Sequence, residues 1–339
     1  MGKTMEKKET VHFYTLTLNP AMDRTMYFDT FKAGGLNRAT EPSRLTPGSK
    51  GINVSRFLRQ MGVSAPAYGF WGGEVGEQML RMLRAEDIET RFVQTHAETR
   101  LNVKMIARDG TGTEANESGG PISGSECRVL LGAMTDQAKR NRDAGEKTFL
   151  FLGGSIPQGV EKDVYKSIVE KQEKLGVCTV LDCDGDALKA GICARPYLIK
   201  PNLAELCGLV GEPGLTVEKA VEKSVEIYRK TGVRVLCTMG GNGAFYVGEE
   251  GVYTVDTPHV TVRGFTGAGD TFLAAFIWRR SAGDDVAAAL AYAAGAAGAK
   301  VTLPGSTMPS PEQVRQYAAD RKVTCLAAFS DGAPQTTGK

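Results

Sequence analysis

No apolar run in the sequence approaches 18 residues, and the first ten residues, rich in lysine and glutamate, carry no apolar signal core. Neither a membrane-spanning helix nor a secretory leader is expected, and the reading is a cytoplasmic protein without a membrane partner. Charge of one sign is equally scarce. The 41 Lys and Arg against 39 Asp and Glu leave a net charge of +2, with no long basic block, so a nucleic-acid partner is not expected. Seven cysteines (127, 178, 183, 193, 207, 237 and 325) form no Cys-x-x-Cys pair, and three histidines make no His-rich neighbourhood. Structural zinc is therefore not expected, and the thiols should be reduced and buried. A Walker A phosphate loop is missing, and where a dinucleotide-binding protein carries Gly-x-Gly-x-x-Gly after its first strand, this chain has Asn19-Pro20-Ala21-Met22-Asp23. What remains is a globular composition, 42% hydrophobic and 24% charged over 339 residues, enough for one large or two medium domains.

The stretch from Val262 to Trp278 reads as a loop tightening into a helix: Gly267, Ala268 and Gly269, then Asp270, then an apolar helical run. A helix start leaves its first amides unpaired and carries partial positive charge, so it can hold a phosphate or a developing oxyanion if no side chain blocks the approach. Small residues leave that approach open. A carboxylate at the same place would take a proton from a substrate hydroxyl while the amides hold the group under attack. The same four residues also fit an ordinary turn with Asp270 as a helix cap.

In chain order, Val11 to Leu18 is a first strand, and Asp23 falls at its carboxyl end, where open α/β sheets bind ligands; a turn or cap after Pro20 is the alternative. Pro47 to Arg59 is a second glycine-rich loop entering a helix, closed by Gly62. Residues 24–46 and 89–118 read as short strands forming a small β lid. Within it Arg100, Asn102 and Lys104 share one strand face, opposite Leu101, Val103 and Met105; a solvated charged face would look the same. Beyond residue 120 strands at 148–152, 177–183, 197–200 and 233–239 alternate with helices near 125–140, 160–175, 204–209 and 216–231. Such alternation predicts an α/β fold with a mostly parallel sheet covered on both faces. One large domain, residues 11–325, is expected, with residues 326–339 as a disordered tail. Asn202 and Glu205 put an amide and a carboxylate three apart at a helix start, hard oxygens suited to Mg²⁺ or its waters, and equally a capping box. Thr238 to Ala244 ends a strand with Gly240, Gly241 and Gly243, which also suits a hairpin turn.

Together these stretches resemble the ribokinase-like (PfkB) carbohydrate kinases over about residues 11–320. The resemblance implies a ribokinase-like fold and ATP- and Mg²⁺-dependent phosphorylation of a sugar. Gly267-Ala268-Gly269-Asp270 is similar to the family signature whose Asp is the catalytic base, with amides 267 to 269 holding the phosphoryl charge. Asp23 matches an Asp that binds sugar hydroxyls. Gly48-Ser49-Lys50-Gly51-Ile52-Asn53 resembles the sugar-binding Gly-Gly-Lys-Gly-x-Asn, with Ser49 where glycine is usual. Lys200-Pro201-Asn202 with Glu205 is similar to Lys-Pro-Asn-x-x-Glu, which puts Lys200 and Asn202 near the nucleotide phosphates and Glu205 near the metal. Thr238, Gly240 and Gly243 match a nucleotide-binding segment. Thr99 to Lys104 looks like the 1-phosphofructokinase branch, implying that Arg100 binds the phosphate already on the sugar. The implied substrate is a ketohexose monophosphate, fructose 1-phosphate before the others. Leu181 to Gly185 and Gly72 to Glu77 look like the tagatose-6-phosphate kinase branch, and a 6-phosphofructokinase of the same family or a silent sugar-phosphate-binding regulator are further alternatives. A homodimer through the lids is also implied.

Overall fold

Residues 10–329 are described in the computed structural model of the protein; the N-terminal residues 1–9 and the tail from residue 330 lie outside the described residues. The first strand, β1 (Val11–Thr17), lies inside a large sheet. Its parallel neighbours are β4 (Ala67–Trp71) and, beyond it, β5 (Thr90–Gln94) on one side. On the other side follow β8 (Lys147–Gly153), β9 (Val177–Asp182), β10 (Leu198–Ile199) and β11 (Arg234–Thr238), all parallel. Antiparallel β12 (Ala244–Gly248), β13 (Gly251–Val255) and β14 (Val323–Ala327) complete ten strands. A separate sheet of four consists of β2 (Ala21–Phe28), β3 (Arg44–Gly48), β6 (Arg100–Ala107) and β7 (Gly112–Asn116), in the order β3-β2-β6-β7.

The central strands are apolar on both faces because both are covered. Tyr14, Leu16, Leu150 and Leu152 point into one buried cluster; Phe13, Phe149 and Phe151, one residue out of step, point into the other. The first cluster is closed by α3 (Gly124–Asp143), α4 (Val164–Glu173), α5 (Gly185–Ile192), α6 (Leu203–Val210) and α7 (Val217–Thr231). The second is closed by α1 (Lys50–Gln60), α8 (Ala268–Ser281), α9 (Val286–Val301) and α10 (Pro311–Ala318). A third, smaller cluster seats the small sheet: Met22 and Leu101 pack with Ile52 and with Met79 and Leu83 of α2 (Gly73–Ala85). No helix among the described residues is long and apolar enough to cross a membrane.

Three expectations change. The strand near residue 90 pairs with β4 at the edge of the large sheet, so the small sheet is built from 21–28, 44–48, 100–107 and 112–116 alone. Leu326 and Ala327, read as the start of a tail, belong to β14. Of the cysteines, Cys183 and Cys237 are buried, whereas Cys193 and Cys325 are exposed.

Candidate active site

Parallel strands deliver their carboxyl ends to one edge of the sheet, and the N-terminus of α8 faces that edge. Gly267 stands at the N-cap of α8 with φ 78°, a left-handed conformation that suits glycine, and so turns the chain abruptly into the helix. Asp270 lies in the first turn but does not cap it. Its carboxylate accepts a hydrogen bond from Asn53 Nδ2 at 2.8 Å and is only 8% exposed. Burial, with the nearby Asp182 charge adding to it, raises the pKa of Asp270 to about 6 against the opposing pull of Lys50, Asn53 and Lys200. The capping alternative does not hold, since Gly267 takes the N-cap position and no side chain caps the helix. Among the described residues the amides of Gly267, Gly269 and Asp270 have no partner, while that of Ala268 donates to the Phe265 carbonyl at 3.3 Å. Of the three amides expected to form an anion hole, those of Gly267 and Gly269 are open, and so is that of Asp270 beside them.

Beside this helix start lies a cavity of about 630 Å³. One end is polar: Lys50, Asp182, Lys200, Asn202, Glu205 and Asp270. The other is apolar and small-walled, with Val255, Pro258, Ala294, Ala297, Gly298 and Val301, the profile of a slot for a flat ring joined to an anionic tail. Thr238, Gly240 and Gly243 also line it. The segment they form is indeed a hairpin turn, with β11 antiparallel to β12, and a cavity wall at once.

Asp182, at the carboxyl end of β9, is the residue the motif reading did not assign. It is buried, its Oδ1 accepts from Lys50 Nζ at 2.5 Å, and its Oδ2 pairs with Lys200 Nζ at 3.3 Å. Burial works against its charge, but the two ammonium groups outweigh it and hold its pKa below the ordinary carboxylate value. The signal was an acid ending an apolar strand, Val177 to Leu181. Lys50, expected on the sugar, sets its ammonium on Asp182, 4.0 Å from Glu205 Oε1, in the wall of the cavity. Burial disfavours its charge, yet Asp182, Asp270 and Glu205 together keep its pKa above the usual lysine value.

Asn202 and Glu205 do form a capping box: Asn202 Oδ1 accepts from the Glu205 amide, and Glu205 Oε2 from the Asn202 amide, both at 2.8 Å. The cap uses one Glu205 oxygen. Oε1 accepts no hydrogen bond among the described residues and faces Lys50. A single acidic oxygen of this kind, with phosphate and water oxygens as the other ligands, fits the way Mg²⁺ is held in phosphoryl-transfer sites. Among the described residues no group of three or more His, Cys, Asp or Glu is placed to hold a metal alone.

On the lid side, Asp23 is 2% exposed and takes hydrogen bonds from Asn102 Nδ2 at 3.0 Å and Lys104 Nζ at 2.7 Å. Gly48 is obligatory there, because a β-carbon would stand 2.6 Å from the Asp23 carboxylate. Lys104 also donates to Thr266 Oγ1 at 3.1 Å, joining lid to anion loop. The shared face of 100, 102 and 104 is therefore turned inward, not solvated. Arg100 spends donors on the Asn19 and Glu117 carbonyls (3.2 and 3.0 Å) and on Asn102 Oδ1 (3.3 Å), which leaves Nη2 without a partner among the described residues. Ser49 has φ 86° and ψ 152°, backbone territory nearly confined to glycine, and its buried hydroxyl has no partner; Asn53 Oδ1 is likewise unpaired. A second cavity, of about 1020 Å³, opens between Thr25, Lys104 and Ile106 of the lid and residues 262–266.

Comparison with known proteins agrees with this geometry. The chain is 33% identical over 313 residues to a 1-phosphofructokinase of Bacillus subtilis (strain 168), covering 92% of this chain and 99% of that protein. The crystal structure of phosphofructokinase-2 from Escherichia coli in complex with substrates and products superposes with a TM-score of 0.82 at 26% identity, over 91% of this chain and 98% of that one. Arabidopsis thaliana ribokinase complexed with ribose and ATP shares the fold, with a TM-score of 0.71 at 22% identity over 91% of this chain and 99% of that one. The family model for pfkB family carbohydrate kinases matches residues 16–313, and with the buried carboxylate, the open amides and the two-ended cavity already in place, the chain belongs to that family and is a phosphotransferase acting on an alcohol group.

Proposed function

We propose that the protein transfers the γ-phosphoryl group of ATP to a ketohexose monophosphate, converting fructose 1-phosphate to fructose 1,6-bisphosphate. The observation that carries the reading is the pairing of Asp270, buried with a pKa of about 6, with unpartnered amides at the same helix start. A sugar hydroxyl placed between them gives its proton to Asp270 as it attacks the γ-phosphorus, and amides 267, 269 and 270 take up charge on the transferred group. ATP lies in the 630 Å³ cavity, adenine against the Ala294–Val301 side of α9 and phosphates toward Lys50, Lys200 and the α8 N-terminus. Glu205 Oε1 is the residue oxygen that would hold Mg²⁺ beside the phosphates, where the ion neutralises charge on the β- and γ-groups. Asp23 and Asn53 Oδ1 bind sugar hydroxyls.

For the phosphate already on the sugar, Arg100 Nη2 and the Ser49 hydroxyl are donors without a partner among the described residues. The likeness to the Bacillus subtilis 1-phosphofructokinase favours fructose 1-phosphate over tagatose 6-phosphate and fructose 6-phosphate. The protein is further proposed to pair through the lid, whose Val103 and Met105 stay half-buried on the face opposite Lys104. A substrate panel with Mg-ATP decides the substrate: kcat/KM should be highest for fructose 1-phosphate, and a nucleoside or an unphosphorylated sugar at the top would overturn the assignment.

A further inference from the structure

Near the end of α9, an alanine- and glycine-rich helix, stands a lysine that phosphoryl transfer as described does not use. Lys300 is fully buried, and its ammonium donates to the Gly305 carbonyl at 2.7 Å. It forms no ion pair among the described residues. Lysines are almost never buried without a counter-charge, and burying an ammonium in this way is costly, so its position calls for an explanation.

The explanation lies in what surrounds it. Two segments meet here: residues 263–267, which lead into α8, and residues 302–306, which leave α9. The Arg263 and Gly264 amides donate to the Val301 carbonyl at 2.7 and 3.3 Å, so the first segment is already tied to the end of α9. A β-carbon on Gly267 would stand 3.6 Å from Lys300 Cε, and one on Gly264 would stand 3.2 Å from the Leu303 oxygen. The end of one lysine side chain therefore lies beside the turn that opens α8, while its ammonium holds a carbonyl of the other segment. It also sits in the last turn of a helix, where carbonyl dipoles favour a cation. The ionisable groups acting on it are Arg56 and Lys104, which oppose its charge, and Asp270, which supports it. Burial brings its pKa down to about 8, so it still carries its proton at pH 7.

We propose that Lys300 is a tethered monovalent cation, an ammonium doing from within the chain what a bound K⁺ or NH₄⁺ ion could do at that spot: fixing the 263–267 and 302–306 segments to each other and offsetting charge beside Asp270. It touches no substrate and is a positioning residue. The role rests on the assignment of Asp270 and its neighbouring amides as the reacting centre. Its consequence is that the enzyme needs no monovalent cation in solution.

The experiment compares wild type, Lys300→Met and Lys300→Ala in K⁺, NH₄⁺ or tetramethylammonium salts at equal ionic strength, with rates and melting temperatures recorded. Wild-type kcat should vary by less than about twofold among the salts, and Lys300→Met, similar in shape but uncharged, should lose at least about tenfold in kcat with KM for ATP nearly constant. Lys300→Ala, which leaves room for an ion, should recover kcat in K⁺ or NH₄⁺ but not in tetramethylammonium, and its melting temperature should rise with the same ions. A wild-type rate that depends on K⁺, full activity in Lys300→Met, or an Ala variant indifferent to the cation would each overturn the proposal. If neither variant folds, the wild-type salt series decides. If wild type turns over no sugar phosphate, the kinase reading has failed, and the cation dependence of melting in Lys300→Ala still decides the role of Lys300.

Discussion

Ser49 occupies a backbone conformation at φ 86° and ψ 152° that a side chain makes costly, and its hydroxyl is buried without a partner. Replacing it with glycine should remove both burdens. Relief of the backbone strain is worth about 1–3 kcal/mol, and removing an unsatisfied buried hydroxyl about 1–3 kcal/mol more. Against this, glycine loosens the unfolded chain by about 0.4–1 kcal/mol. Ser49→Gly should therefore be more stable by at least about 1 kcal/mol, read as a higher urea midpoint at unchanged m-value. The proposed role of the hydroxyl on the sugar phosphate predicts that the same variant raises KM for the phosphosugar several-fold while leaving KM for ATP nearly constant. A variant no more stable than wild type would refute the strain argument. A more stable variant with unchanged KM for the sugar would show that the hydroxyl contacts no substrate.

Arg100→Ala should lower kcat/KM for the phosphosugar at least about tenfold, with little change for the same sugar lacking its phosphate; equal losses for both would mean that its bonds to the Asn19 and Glu117 carbonyls hold the lid and nothing more. Because Asp270 must be ionised to accept a proton, kcat/KM should fall as pH drops through about 6, and a flat profile between pH 5 and 8 would count against it. The sign for stability is opposite. A carboxyl raised from 3.8 to about 6 on folding stabilises fully below its unfolded pKa, and that contribution, at most about 3 kcal/mol, is lost as pH rises through 6. Asp270→Asn should accordingly gain stability at pH 8 and little at pH 4. Light scattering at micromolar concentration should give a dimer, and a monomeric mass would remove the proposed pairing of lids.

The alternation of strands and helices after residue 120 was legible because each parallel strand there is a short apolar run with its own covering helix, as at Val177 to Asp182. The edge position of β5 was not, since four half-buried residues and an exposed one look alike whether they pair with β4 or with a lid strand. At the site, Gly267 to Asp270 and Asn202 with Glu205 announce themselves as local patterns at element ends, whereas Asp23, expected at the carboxyl end of the first strand, lies inside β2 of the small sheet, because the chain turns at residues 18–20 into a new strand. Asp182 does not announce itself: its meaning comes from Lys50 and Lys200, 132 residues before it in the chain and 18 after it. The commitment of Lys104 to Asp23 and Thr266 is likewise a long-range contact that strand alternation predicts in direction but not in partner. Lys300 left one trace, a charged residue in a helix otherwise made of Ala, Gly and apolar side chains.

The central claim is that Asp270 takes the proton from the attacking hydroxyl. Its most direct test is kcat of Asp270→Asn with Mg-ATP and fructose 1-phosphate, alongside ATP affinity measured by titration of the same folded protein. The account predicts a fall in kcat of roughly 10² to 10⁴ with ATP affinity nearly unchanged. A folded Asp270→Asn protein that turns over at close to the wild-type rate would contradict it.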